Sequence, residues 1–270
     1  GLLLQEESRL SEAEPYLYEA LNKRRRVLGD EHPQTLLSIN NVAILLHAQG
    51  KPAEAEAYFR ESLEKHRRVL GDEHPNTLGA IMSMGFVLRN QGRLAEVEAY
   101  YQEALEKQRR LLGDEHPDTL TSIHNMGFLL QSQGKLTEAE PYCREAMDRW
   151  RKLLGDDHPD TLIAVNNFGL VLLSLGRLAD AEPYCREAME KRRRVRGETH
   201  LDTLISTTNM GNLLQAQGKA AEAIALLSPL EPPAREAFVG SPIRLGRFLT
   251  ALGRARAANG ELPASEANLT

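Results

Sequence analysis

Residues 113–154 read GDEHPDTLTSIHNMGFLLQSQGKLTEAEPYCREAMDRWRKLL, and two helical patterns run through them. Leu120, Ile123, Met126, Gly127 and Leu130 are apolar or small and recur at the 3/4 spacing of one helix face, which marks a helix A. After Gly134 a second series follows, Leu136, Ala139, Cys143, Ala146, Trp150 and Leu153, which marks a helix B. Pro117 suits the first turn of helix A, where its missing N–H has no helical partner to lose. Asp118 beside it favours the positive end of the helix dipole. Gly134 is a natural left-handed stop after helix A. The Arg149–Lys152 cluster complements the negative end of helix B.

The same plan repeats outward in both directions. Gly-Asp falls at Gly29, Gly71, Gly113 and Gly155, with Gly-Glu at Gly197. The motif HPxTL begins at His32, His74, His116 and His158, with the variant HLDTL at His200. A second glycine recurs at Gly50, Gly92, Gly134, Gly176, Gly218 and Gly260. Every interval is 42 residues, and three markers in one register define an internal repeat. Strand-like alternation is absent. A single helical hairpin cannot bury its own apolar stripe, so hairpins must stack on their neighbours. The expected fold is therefore all-α: a right-handed superhelical solenoid of antiparallel helix pairs, with the A helices lining the inner face.

The expected organisation is one solenoid over residues 1–270. A partial repeat of helix B alone occupies 8–28, and full repeats occupy 29–70, 71–112, 113–154 and 155–196. Residues 197–238 form a full-length but divergent repeat, and 239–270 a degenerate, truncated one. Pro229, Pro232, Pro233 and Pro242 are expected to break the fifth helix B across Ser228–Pro242. A degenerate helix A then runs from about Leu245 to Asn259, before the chain stops inside the start of a helix B. Pro15, Pro141 and Pro183 lie in the opening turns of helix B and should each delete one backbone hydrogen bond. Because the sequence opens partway through a repeat, a fragment of a longer protein is expected.

Composition narrows the function. Hydrophobic residues at 41% and charged residues at 26% describe an ordinary soluble protein. A formal charge of −5 lacks the basic excess of a nucleic-acid or anionic-membrane binder. No apolar run approaches the roughly 18 residues of a membrane span. Gly1–Leu4 is too short for a signal-peptide core, and a cytoplasmic location is expected. No phosphate-cradling glycine loop, HExxH motif or nucleophile elbow is present, so neither an enzyme nor a cofactor is expected. The repeated histidines cannot share a metal. Equivalent residues lie two helix packings apart, whereas zinc ligands converge within about 2.3 Å of one ion. Such a histidine is better suited to bonding backbone groups at the entry to helix A. Cys143 and Cys185 sit at one repeat position, too far apart for a disulfide, and read as small buried hydrophobes.

Met126-Gly127, Leu130, Gly134, Ala139 and Ala146 resemble the tetratricopeptide repeat, in which a large–small pair on helix A packs against small residues on helix B. The usual repeat is 34 residues, so the eight added here lengthen the helices by about two turns in total. Signatures such as GKLTEAEPYCREAM and LLGDDHPDTL are similar to the longer repeats of kinesin light chain and its relatives in multidomain signalling proteins. The resemblance covers roughly residues 8–220.

That resemblance points to a protein–protein interaction module holding an extended peptide in its groove. Helix A carries Asn40-Asn41, Asn125, Asn166-Asn167 and Asn209 in register, with Ser83 departing in the second repeat. An amide both donates and accepts, so such a ladder can pair with a peptide backbone. The same amides could instead bridge adjacent A helices. The resemblance assigns the peptide role to Asn41, Asn125, Asn167 and Asn209. A neighbouring position, Asn40, Met82, His124, Asn166 and Thr208, varies between repeats, as does His47, Arg89, Gln131, Leu173 and Gln215, which suits discrimination among ligand side chains. Ile44, Phe86, Phe128 and Leu170 form an apolar stripe expected to pack between A helices. Arg24, His66, Gln108, Trp150 and Arg192 match a basic peptide contact of the family. Arg24 and Arg192 keep the charge and would favour an acidic partner, the alternative being dipole compensation and surface ion pairs. The alternative function is a self-associating or intramolecular scaffold of a larger signalling protein.

Overall fold

The computed structural model describes residues 10–261. The helix-B start expected near the C-terminus, and the opening residues read against a signal peptide, lie outside the described residues. The chain divides into two compact units, residues 1–133 and 134–270. The first holds α1 (Leu10–Leu28), α2 (Pro33–Ala48), α3 (Pro52–Leu70), α4 (Pro75–Asn90), α5 (Leu94–Leu112) and α6 (Pro117–Ser132). The second holds α7 (Leu136–Leu154), α8 (Pro159–Ser174), α9 (Leu178–Arg196), α10 (Leu201–Ala216), α11 (Ala220–Leu227), α12 (Glu231–Ala237) and α13 (Pro242–Ala258). No strand occurs among the described residues. Within each unit, helices adjacent in the chain pack on one another in antiparallel pairs.

The repeated motifs set where each helix begins and ends. His32, His74, His116, His158 and His200 are the N-caps of the A helices α2, α4, α6, α8 and α10. In each, Nδ1 accepts from the backbone N–H two residues on, at 3.1–3.2 Å. The ring thus satisfies one of the orphan donors of the first turn, a role more often given to Ser, Asp or Asn. At the other end of α2, Gly50 has φ 74°. The Lys51 N–H reaches the Leu46 carbonyl while Gly50 bonds His47, which is a Schellman stop. Gly71 ends α3 at φ 84°, ψ 168°, a region open essentially to glycine alone. Its carbonyl accepts from the Thr77 hydroxyl at 2.7 Å, closing the turn from helix B to helix A. The helices α7 and α9 run unbroken through Pro141 and Pro183.

Small residues set how closely A and B approach. Ala55, Ala139, Ala181 and Ala223 are fully buried on the B helices. A methyl added at Gly85 would lie 2.2 Å from the Tyr101 ring, and one at Gly169 would lie 2.9 Å from Cys185 Sγ. Gly85, Gly169 and Gly211 are thus each matched to a bulkier residue 16 positions later on helix B.

The fifth helix B departs from the rest, though not as an open break. α11 ends at Leu227, a 3₁₀ turn covers Ser228–Leu230, and α12 resumes at Glu231. Pro232 and Pro233 fall in the first turn of α12, where proline has no helical bond to lose. The following helix starts at Pro242 rather than Leu245, again with proline in its first turn. Phe238 and Phe248 are buried with Leu204, Leu227, Leu230 and Leu252, giving this end of the second unit its own apolar core.

Candidate functional site

The paired positions of the asparagine ladder lie on the A helices, and their surroundings differ between the units. In the second unit, Asn209 Nδ2 donates to Asn166 Oδ1 at 2.9 Å, joining α10 to α8. Asn166 is only 6% exposed, and its Nδ2 reaches Asn167 Oδ1 at 3.4 Å. Thr207 and Thr208 turn their hydroxyls back onto the Thr203 and Leu204 carbonyls. Here the bridging alternative is realised.

In the first unit, Asn40, Asn41, His124 and Asn125 are half-buried. Asn125 lines a cavity of about 530 Å³ formed by α2, α4 and α6 over side chains of α3 and α5. Among the described residues, none hydrogen-bonds the Asn125 amide. Ser83 borders the same cavity, its hydroxyl bonded to the Gly79 carbonyl of its own helix. Phe59 and Tyr101 form part of the lining from the B helices, and burial raises the Tyr101 phenol pKa against a smaller opposing effect of the Arg89 charge. Gln108, 4% exposed, also lines it, and its Oε1 has no partner among the described residues.

The apolar stripe is partly covered between A helices, with Leu170 half-buried. Ile44, Phe86 and Phe128 remain 42%, 38% and 38% exposed, and Ile44 and Phe86 line the cavity. The Arg89 guanidinium lies over both phenylalanine rings. Its guanidinium carbon is 5.6 Å from the Phe86 ring centre and 5.2 Å from that of Phe128, within cation–π range. His47 meets Phe86 edge-on at 4.8 Å, and desolvation lowers its pKa.

The register matching a basic peptide contact is directed into the protein. Arg192 is 5% exposed, and its Nη1 donates to Ser206 Oγ at 2.7 Å and to the Asp202 carbonyl at 3.1 Å, fastening α9 to α10. Desolvation lowers its pKa. Arg24 makes the same pair of bonds, to Ser38 Oγ and the Gln34 carbonyl. His66 donates from Nδ1 to the Ser62 carbonyl at 2.8 Å. A signal for this was present in the sequence. The position 14 residues on is serine opposite Arg24, Gln108 and Arg192, but alanine (Ala80, Ala164) opposite the ring side chains of His66 and Trp150. Other basic residues at the ends of the B helices form ion pairs. Arg67 meets Glu103 through both carboxylate oxygens at 2.8 Å, and Arg151 meets Glu187 at 2.8–2.9 Å. Burial pushes the Glu103 carboxyl up, but bonds from Lys107 and Arg67 outweigh it and hold the group below its usual value.

The tetratricopeptide repeat family pattern matches residues 1–67, 36–80, 118–184 and 162–228, and a second pattern of the same family matches residues 77–118. The chain is a tetratricopeptide repeat protein. No curated protein matches this tetratricopeptide chain in sequence. Among solved structures it is similar to BtubC (BKLC) from P. vanneervenii, at 20% identity and TM-score 0.72, over 86% of this chain and 92% of that one. It is also similar to a candidate kinesin light chain of Podosopora anserina with nearly identical TPR-like repeats, at 21% identity and TM-score 0.68, over 76% and 97%. A third likeness is to the Rap conjugation gene regulator of plasmid pLS20, solved in complex with the Phr* peptide, at 17% identity and TM-score 0.61, over 96% and 71%. At these identities the likeness is one of fold.

Cys143 and Cys185 are buried, unpaired thiols, and desolvation pushes each up to about 12. Among the described residues, no group of three or more His, Cys, Asp or Glu is placed to hold a metal, and no helix is long and apolar enough to cross a membrane.

Proposed function

We propose that this tetratricopeptide repeat protein is a binding module, not an enzyme, that holds an extended segment of a partner protein against its A-helix face. The observation that carries the reading is the first unit's cavity. It combines exposed apolar side chains (Ile44, Phe86) with the Asn125 amide and the unpartnered Gln108 oxygen. Apolar walls with a few convergent polar groups are what ligand sites commonly present. Asn125 and Asn41 supply donors and acceptors for a peptide backbone, extended by Asn40 and His124. The second unit carries Asn166, Asn167 and Asn209 at the same repeat positions, where a ligand would exchange their mutual bonds for its own. Arg24 and Arg192 hold the A helices in place for that contact. The peptide in the Rap regulator structure supports the reading by likeness of fold.

Selection from a random peptide library with free C-termini tests it. The Asn125→Ala/Asn167→Ala double variant should bind the selected peptides at least about tenfold more weakly, the cost of one to two hydrogen bonds. Its helical circular dichroism should be unchanged. Loss of helix in the double variant would make both asparagines structural.

Self-association is a second reading, favoured by Val239 and Ile243, which stand 79% and 73% exposed around the turn between α12 and α13. Particle size growing with concentration in light scattering, and lost in Val239→Ser/Ile243→Ser, would establish it.

A further inference from the structure

Five of the joints that lead from a helix B into a helix A carry the same ion pair. Arg25 meets Asp30 at 3.1 Å, Arg67 meets Asp72 at 3.1 Å, Arg109 meets Asp114 at 3.3 Å, Arg151 meets Asp156 at 2.7 Å and Arg193 meets Glu198 at 3.2 Å. The joint between α12 and α13 keeps the arginine but not the acid. Arg235 turns back onto Glu231 at 2.8 Å, and Gly240 stands in the acidic position. Val239 replaces the joint glycine, and Ile243 takes the place of Pro33 and its equivalents. These two are the most exposed large apolar side chains among the described residues. Ser241 gives α13 no side-chain cap, so the positive end of its dipole opens onto the same turn. Residues 237–260, between Glu236 and Glu261, hold four arginines and neither Asp nor Glu. Arg256 is committed to Ser228 and Glu231. Arg244, Arg247 and Arg254 are exposed, and among the described residues no ion pair or hydrogen bond engages them. Arg247 and Arg254 lie four and eleven residues beyond Ile243, within about 40° of it around the helix, so the three share one exposed face.

We infer that the α12–α13 joint and the adjoining face of α13 dock this protein on an anionic lipid surface. Val239 and Ile243 enter the boundary between headgroups and acyl chains, while Arg244, Arg247 and Arg254 meet the anionic headgroups. The apolar pair projects from both sides of a turn, a convex outline that offers a peptide no groove. Nucleic acid fits these residues less well. The aromatic rings of the segment, Phe238 and Phe248, are buried, so none is left to stack on a base. The net charge of −5 belongs to the whole chain. Screening over about 8 Å at physiological salt leaves the local arginines to decide the contact. Two aliphatic tips bury less than one acyl chain, so the binding is reversible. The site is independent of the peptide-binding reading, and it competes with self-association for Val239 and Ile243.

Flotation with vesicles tests it, using phosphatidylcholine alone and phosphatidylcholine carrying roughly 30% phosphatidylserine. The unaltered chain should float with the anionic vesicles and not with the neutral ones, and about 0.5 M salt should release it. Each arginine near an anionic surface is worth about fivefold, so Arg244→Gln/Arg247→Gln/Arg254→Gln should weaken binding about a hundredfold. Val239→Ser/Ile243→Ser should weaken it at least about tenfold. All the altered side chains are exposed, so circular dichroism should show both variants as helical as the unaltered chain. If a variant loses helix, the lipid and salt dependence of the unaltered chain still decides. Absence of flotation with anionic vesicles overturns the site, as does equal flotation with neutral ones or flotation that survives both variants. Arginine-dependent retention of a single-stranded oligonucleotide, without flotation, would make the patch a nucleic-acid contact instead. Particle growth without vesicles that is lost in Val239→Ser/Ile243→Ser, again without flotation, would leave self-association standing and remove the lipid site.

Discussion

In the second unit, α8 and α10 turn their polar side chains on each other and on their own backbones. Asn209 meets Asn166, and Thr207 and Thr208 fold back onto the preceding turn. In the first unit, the same repeat positions on α4 and α6 hold Met82, Ser83, His124 and Asn125, and Asn125 borders a cavity with exposed phenylalanines. The backbones follow one plan, with the same caps and the same helix lengths. A single repeat position can therefore tie two helices together or border an open cavity, and the side chain facing it decides which. A ladder of identical residues does not make a ladder of identical sites.

The contrast is sharpest at two arginines. Arg192 directs its hydrogen bonds inward, whereas the Arg89 guanidinium lies over the Phe86 and Phe128 rings. Arg192→Ala should lower unfolding free energy by about 2 kcal/mol, from lost charged hydrogen bonds and stem packing. Arg89→Ala should cost under about 1 kcal/mol, the value of exposed cation–π contacts. Urea denaturation of both variants decides it, and equal losses would dissolve the distinction. A change of sign is expected at Gln108. Gln108→Met removes a buried oxygen that lacks a partner, so stability should rise by about 1 kcal/mol while peptide affinity falls. A stability loss in thermal unfolding would mean that the oxygen is satisfied by water. The smallest effect concerns the asparagines. Asn209→Ala should destabilise by about 0.5–1 kcal/mol and Asn125→Ala by less than about 0.5 kcal/mol. Reversal of that order would give Asn125 the structural role.

Much of the fold was legible because the 42-residue register repeats every punctuation mark. His32, Gly50 and Gly71 each fix a helix end by local geometry, and local geometry is what sequence reports most directly. The stripe of Ile44, Phe86 and Phe128 was less transparent. Helical spacing gives the angle of a side chain around its helix but not whether a neighbour covers it. The prolines near Ser228 had a similar ambiguity, since proline ends one helix and begins another equally well. Arg24 and Arg192 read as groove cations because a basic residue at a helix end has many uses. Only the serine 14 residues on discloses the inward bond. Arg89 drew notice as one member of a varying register. Its meaning came from Phe86 and Phe128, a spatial pairing across two helices that no local pattern encodes.

The joint between helix B and helix A carries a consequence for how this chain can change length. Its glycine, its histidine cap and its threonine latch are supplied wholly within the joint, by residues such as Gly71, His74 and Thr77. The ties to neighbouring helices recur in step with it: Arg25 finds Glu61, and Arg67 finds Glu103. Excising residues 71–112 would leave the caps of the remaining joints intact, whereas removing 40 or 44 would break the joint at the cut. Array length is thus a quantised variable. The excised block would also take Arg89 and Gln108 with it, so the scaffold can shed its most distinctive side chains without a seam.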